Sequence, residues 1–97
     1  MDLLITVSNQ KSTNILLPLL QACVRCKCEW EIFFTHEGTL TLNRDEITAL
    51  LTKNNSTAIV CHDSWVRYAE TDECPVALGS QTNHSGMIAR AKRVISL

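Results

Sequence analysis

Five strand-like runs, Leu3–Val7, Glu29–Thr35, Thr57–Cys61, Val76–Leu78 and Arg93–Leu97, alternate along this chain with four segments that read as helices. Strands separated by helix-length connections cannot pair as hairpins. They pair in parallel through right-handed helical crossovers, and the helices then cover the faces of the sheet. The alternation therefore predicts an α/β fold: a three-layer α/β/α sandwich of the flavodoxin-like kind around a five-stranded, mainly parallel sheet.

The boundaries follow from local chemistry. Leu3–Val7 is continuously apolar apart from Thr6, as suits a strand covered on both faces. Ser12 can cap the next helix, in which Ile15, Leu16, Leu19, Leu20 and Cys23 recur at helical spacing toward Lys27. Pro18 either bends that helix or sits near its first turns. Trp30-Glu31-Ile32-Phe33-Phe34 returns to strand character, and His36-Glu37-Gly38 supplies a turn. Asn43 with Glu46 resembles a capping box ahead of Ile47, Leu50 and Leu51, in a helix ending near Asn54-Asn55. After the third strand, Asp63 or Ser64 can cap a helix bearing Trp65, Val66 and Tyr68, which Asp72-Glu73-Cys74-Pro75 terminates. Gly79-Ser80-Gln81 follows the fourth strand as a loop. Met87, Ile88 and Ala91 mark a last short helix, its start weakened by Gly86.

Ninety-seven residues, 45% of them hydrophobic, suffice for one domain over 1–97 with a small packed core. No internal repeat, low-complexity tract or linker divides the chain. Nine Lys and Arg against ten Asp and Glu leave a formal charge of -1, so neither nucleic acid nor an anionic membrane surface is an expected partner. The longest apolar stretch, Ile15 to Leu20, is far too short to span a bilayer. The first residues lack the basic and apolar regions of a signal peptide, so a cytoplasmic location is expected.

In a reducing compartment five cysteines, an odd count, are expected as free thiols. Cys23-Val24-Arg25-Cys26-Lys27-Cys28 superficially resembles a metal or redox motif, but no second ligand cluster completes it. No metal and no cofactor is expected. Cys23 reads as packing against the sheet, with Cys26 and Cys28 at a helix end and in a loop.

Chemistry in open parallel sheets gathers where strands end and helices begin. Cys61 stands at such a point, and a helix start favours its thiolate. His62 and Arg67 are its candidate cationic neighbours, although Cys61 reads equally well as an inert buried residue and His62 as an exposed polar one. Asp63 suits a cap and Arg67 a solvated helix face. The loops His36-Glu37-Gly38 and Gly79-Ser80 should reach the same sheet edge and offer a shallow binding site, or serve simply as turns. Neither phosphate-loop glycine signature is present.

The order of these features resembles the DsrE/DsrF-like sulfur-relay superfamily over nearly the whole chain. Three stretches carry the likeness: Phe33-Phe34-Thr35-His36-Glu37-Gly38; Ile59-Val60-Cys61 with Arg67 downstream; and Gly86-Met87-Ile88 through Arg93-Val94-Ile95-Ser96-Leu97. The resemblance implies a small α/β subunit that assembles into homo- or hetero-oligomers, with Cys61 at the position where some members carry sulfur as a persulfide. His62 would be its helper, and sulfur donor and acceptor proteins its partners. His62-Asp63 and the nearby Trp65 depart from the small residues common after the family's cysteine. Two other readings stand beside sulfur transfer: a non-catalytic oligomer subunit, since some members work without a reactive cysteine, and a small-anion-binding module using the three loop ends. Apolar helix surface at Trp65 and Leu51 is expected to drive oligomerisation.

Overall fold

The computed structural model describes residues 1–54 and 57–97. Its strands are β1 (Leu3–Val7), β2 (Trp30–Phe34), β3 (Thr57–Cys61), β4 (Ala77–Gly79) and β5 (Arg93–Ser96). Between them lie α1 (Thr13–Arg25), α2 (Asp45–Lys53), α3 (His62–Tyr68) and α4 (Gln81–Arg90). All strand pairs are parallel, in the order β4-β3-β2-β1-β5. The three-layer α/β/α sandwich expected from the alternation is the architecture observed.

Strand order and handedness together decide which helix covers which face. From β1 through β4 the chain steps across the sheet in one direction, so right-handed crossovers put α1, α2 and α3 on one side. The step from β4 to β5 reverses direction and puts α4 alone on the other. The core divides accordingly. Ile5, Val7, Ile32, Phe34 and Val60 point to the first face and pack with Leu16, Leu20, Ile47 and Leu51. Leu4, Phe33 and Cys61, one residue out of phase, point to the second and pack with Met87 of α4. Phe33 and Phe34 are both fully buried, back to back, and each contributes about 1.5–3 kcal/mol by burial.

Several helix ends differ from expectation. Ser12 precedes α1 without a capping hydrogen bond; instead Asn9 accepts from the Lys11 N–H at 2.9 Å and closes a 3-10 turn over Gln10–Ser12. Pro18 lies within α1 on its exposed side, and the helix continues to Arg25. The His36 turn extends as a 3-10 helix to Asn43, so Asn43 does not cap α2. Glu46 instead pairs with Arg44 at 2.9 Å. Asn54 caps the C-terminus of α2, and Asn55 lies outside the described residues. Cys61, not Asp63 or Ser64, is the N-cap of α3.

The last helix starts well before Gly86. Ser80 accepts from the Asn83 N–H and the Asn83 side chain accepts from the Ser80 N–H at 2.8 Å, a reciprocal capping box. Residues expected in a loop therefore form the first turn of α4. The apolar surface also lies elsewhere than expected. Leu51 is buried and Trp65 packs against the core, whereas Val66 is 70% exposed and Leu78 48%. Among the described residues no helix is long and apolar enough to cross a membrane.

Candidate functional site

Cys61 ends β3 on the face covered by α4, and its side chain is only 7% exposed. As the N-cap of α3 it faces amide N–H groups that the helix itself leaves unpaired. Burial pushes the thiol up, but the polar groups of Ser64, Asp63 and Gln81 beside it outweigh that effect, although Cys61 makes no side-chain capping hydrogen bond to α3. The net effect holds Cys61 below the ordinary thiol range.

The hydroxyls beside the sulfur form an ordered chain. Ser64 accepts from the His36 N–H at 2.8 Å. Thr35 lies 3.4 Å from Ser64 and accepts from the Gln81 amide at 3.4 Å. Gln81 thus donates to Thr35 and also helps to lower the Cys61 pKa. His84 orients Gln81 from behind: its Nδ1 is 3.3 Å from Gln81 Oε1, and its Nε2 is 2.9 Å from Thr6 Oγ1. Because Oε1 can only accept, Nδ1 carries the ring proton and Nε2 accepts from Thr6. The ring stacks on Phe33 at 4.4 Å with an 11° interplanar angle. Burial lowers its pKa, in keeping with a neutral ring.

Two open clefts meet at Cys61. One, of about 500 Å³, is lined by Thr35, His36, Asp63, Ser64, Arg67, Tyr68, Gln81 and His84 as well as Cys61. The other, of about 460 Å³, runs past Cys61 between His62, Asp63 and Gly79 to Thr82. The arrangement can stabilise negative charge on sulfur while leaving two approaches to it. Among the described residues no three or more His, Cys, Asp or Glu side chains converge to hold a metal ion.

No family model, curated protein or solved structure matches the chain. The residues singled out in the sequence must therefore be placed by geometry alone. His36 and Arg67 line the first cleft with Cys61, and the Arg67 guanidinium also sits 5.5 Å above the Tyr68 ring. His62, Gly79 and Ser80 line the second. The His62 side chain is 61% exposed, with Nδ1 3.9 Å from Asp63. Glu37 and Gly38 line neither cleft. Gly38 has a structural task instead: a Cβ there would lie 2.0 Å from the Val7 carbonyl oxygen, so only glycine lets this loop close onto β1. Gly79 is Cys61's register partner on β4, where a Cβ would strike Ile59 at 2.5 Å.

Sequence reasoning missed His84, named Thr35 and Ser64 only as a strand end and a cap, and placed Gln81 in the loop Gly79-Ser80-Gln81 expected at the site without giving its side chain a role. The signal for them was present. Ser80 with Asn83 marks a helix start, and a helix begun at Gln81 puts His84 one turn on, on the same face.

Proposed function

We propose that this chain is a sulfur-handling protein of the DsrE/DsrF-like type, which carries sulfane sulfur as a persulfide on Cys61. What supports this reading is a nearly buried sulfur at the start of α3, held below the ordinary thiol range by the nearby Ser64, Asp63 and Gln81, with two open clefts meeting at it. A sulfur carrier alternates between thiolate and persulfide, and these groups favour the thiolate in both directions of exchange. Loading begins when the Cys61 thiolate attacks the outer sulfur of a donor persulfide. A new S–S bond forms, the donor's S–S bond breaks, and the donor's inner sulfur leaves as a thiolate. Unloading repeats the exchange, with an acceptor thiolate taking the outer sulfur and Cys61 leaving. His62, which lines the second cleft with Cys61, is the residue we assign to proton exchange with the departing thiolate.

The test is incubation with a persulfide donor followed by intact mass and peptide mapping. The wild type should gain one sulfur atom on the Cys61 peptide, and Cys61→Ser should gain none there. Ser64→Ala should load more slowly near neutral pH, its alkylation profile shifted to higher pH. Absence of added sulfur on wild-type Cys61 overturns the reading.

One separate observation favours a subunit role. Val66 on α3 and Leu78 on β4 are exposed apolar side chains near the site, suited to burial against a second copy or a related subunit. Light scattering at micromolar concentration should give a mass above the 10.9 kDa of one chain. If assembly and biological activity survive Cys61→Ser intact, the subunit role alone accounts for the protein.

A further inference from the structure

At the opposite edge of the sheet, the C-terminus of α1 turns back on itself. Lys27 adopts a left-handed φ of 54°. Its N–H donates to the Val24 carbonyl at 3.3 Å, and the Cys28 N–H donates to the Cys23 carbonyl, also at 3.3 Å. These are the paired bonds of a Schellman motif, which brings the side chain of the third residue from the helix end against that of the second residue beyond the cap. Here both are cysteine. The five-residue spacing within Cys23-Val24-Arg25-Cys26-Lys27-Cys28 is the spacing this turn requires, so the cluster that reads as an incomplete metal motif falls on the two facing positions of a helix-ending turn.

Both thiols line one open cleft of about 390 Å³, together with Lys27, Glu29, Trp30 and Glu31. Cys23 is buried against the sheet and Cys28 is half-buried. Cys26, the C-cap, is exposed and lies outside that cleft. We propose that Cys23 and Cys28 form a second thiol site, a redox pair that closes to an intramolecular disulfide on meeting a low-molecular-weight disulfide. A disulfide needs its two Cα atoms within about 7 Å, a demand suited to residues already joined by a backbone hydrogen bond.

The exchange balances without another reactant. The Cys28 thiolate, the more accessible, attacks one sulfur of the small disulfide and expels one thiolate. Cys23 then loses its proton and attacks Cys28 in the mixed disulfide, expelling the second. Two cysteine thiols are oxidised, one small disulfide is reduced to two thiols, and the two protons pass to the leaving groups. Burial and the neighbouring Cys28 thiol push the Cys23 thiol up, so proximity rather than acidity drives the second step.

The test treats the full chain carrying Cys61→Ser with glutathione disulfide, so that thiol adds no adduct. Mapping without reduction should recover a Cys23–Cys28 cross-link two hydrogens lighter than the two free thiols, whatever adducts the exposed Cys26 and half-buried Cys74 take up. Cys26→Ser added to this background should leave the cross-link unchanged. Cys23→Ser should trap a glutathionyl adduct on Cys28 that the parent resolves. A persistent adduct on Cys28 in the parent, a cross-link through Cys26, or no Cys23–Cys28 cross-link in the map overturns the proposal. Because the parent map alone distinguishes these results, failure of Cys23→Ser to fold would not spare it.

Discussion

The two edges of one sheet handle a buried thiol in opposite ways. Cys61 stands at a helix beginning, where the polar groups of Ser64, Asp63 and Gln81 hold its pKa down. Cys23 stands in the last turn of a helix, beside other thiols rather than amide donors, and burial with the neighbouring Cys28 pushes it up. Both side chains are almost equally covered, at 7% and 6% exposure. Similar burial therefore leaves the two thiols on opposite sides of the ordinary range, because polar groups offset it at Cys61 while the neighbouring thiols add to it at Cys23.

The largest way to break this contrast is through Gly38. Its added Cβ would collide with backbone at Val7, which cannot yield, so Gly38→Ala should cost more than about 3 kcal/mol by chemical denaturation. It should also disorder the loop through which Thr35 and His36 reach Ser64, while leaving the turn at Lys27 intact. Hydrogen exchange should show protection lost first at residues 35–43.

A smaller effect, with opposite signs at the two edges, should appear in the dependence of stability on alkaline pH. For Cys61 the folded pKa is depressed, so the folded protein releases its proton before the unfolded chain does. Its contribution is present above the unfolded thiol value, near 8.5, and is lost as pH falls through the folded one. For Cys23 the folded pKa is raised, so its contribution is present below the unfolded value and is lost as pH rises toward the folded one. The cost of Cys61→Ser should grow between neutral and alkaline pH, whereas the cost of Cys23→Ser should shrink. Denaturant melts of both variants against wild type provide the measurement, and parallel behaviour of the two would erase the distinction.

The smallest effect concerns Lys27. A side chain in the left-handed region carries strain that glycine lacks, so Lys27→Gly should stabilise the protein by up to about 1 kcal/mol. It should leave Cys61 alkylation unchanged, which would show that the two edges act independently.

Much of the molecule was legible from the chain because the features that carried it were local or periodic. Apolar runs such as Leu3–Val7 and Thr57–Cys61 announce strands, and alternation between them and helices leaves few topologies. Cys61 could be placed at the sheet edge for the same reason. Its surroundings were harder to read, since Thr6, Thr35, Ser64, Gln81 and His84 meet only after β1, β2, α3 and α4 have packed. Gly86 drew the start of α4 too late, hiding Gln81 and His84 in an apparent loop, although the Ser80–Asn83 cap outweighs one helical glycine. At the other edge the cysteine spacing was visible, but its meaning depended on Lys27 turning left-handed.

The solitary position of α4 bears on timing. This helix brings Gln81 and His84 to the sulfur, and it can dock only once β5 has found its place beside β1, a pairing that spans almost the entire chain. Contacts so distant in sequence close late in folding. The turn that ends α1 and brings Cys23 to Cys28 is closed by backbone bonds local to that helix end, and it can form while Cys61 still lacks Gln81 beside it. Maturation of the reactive sulfur should therefore be among the last events in the protein's folding, and fast alkylation during refolding should see Cys61 change its reactivity after the Cys23 turn has formed.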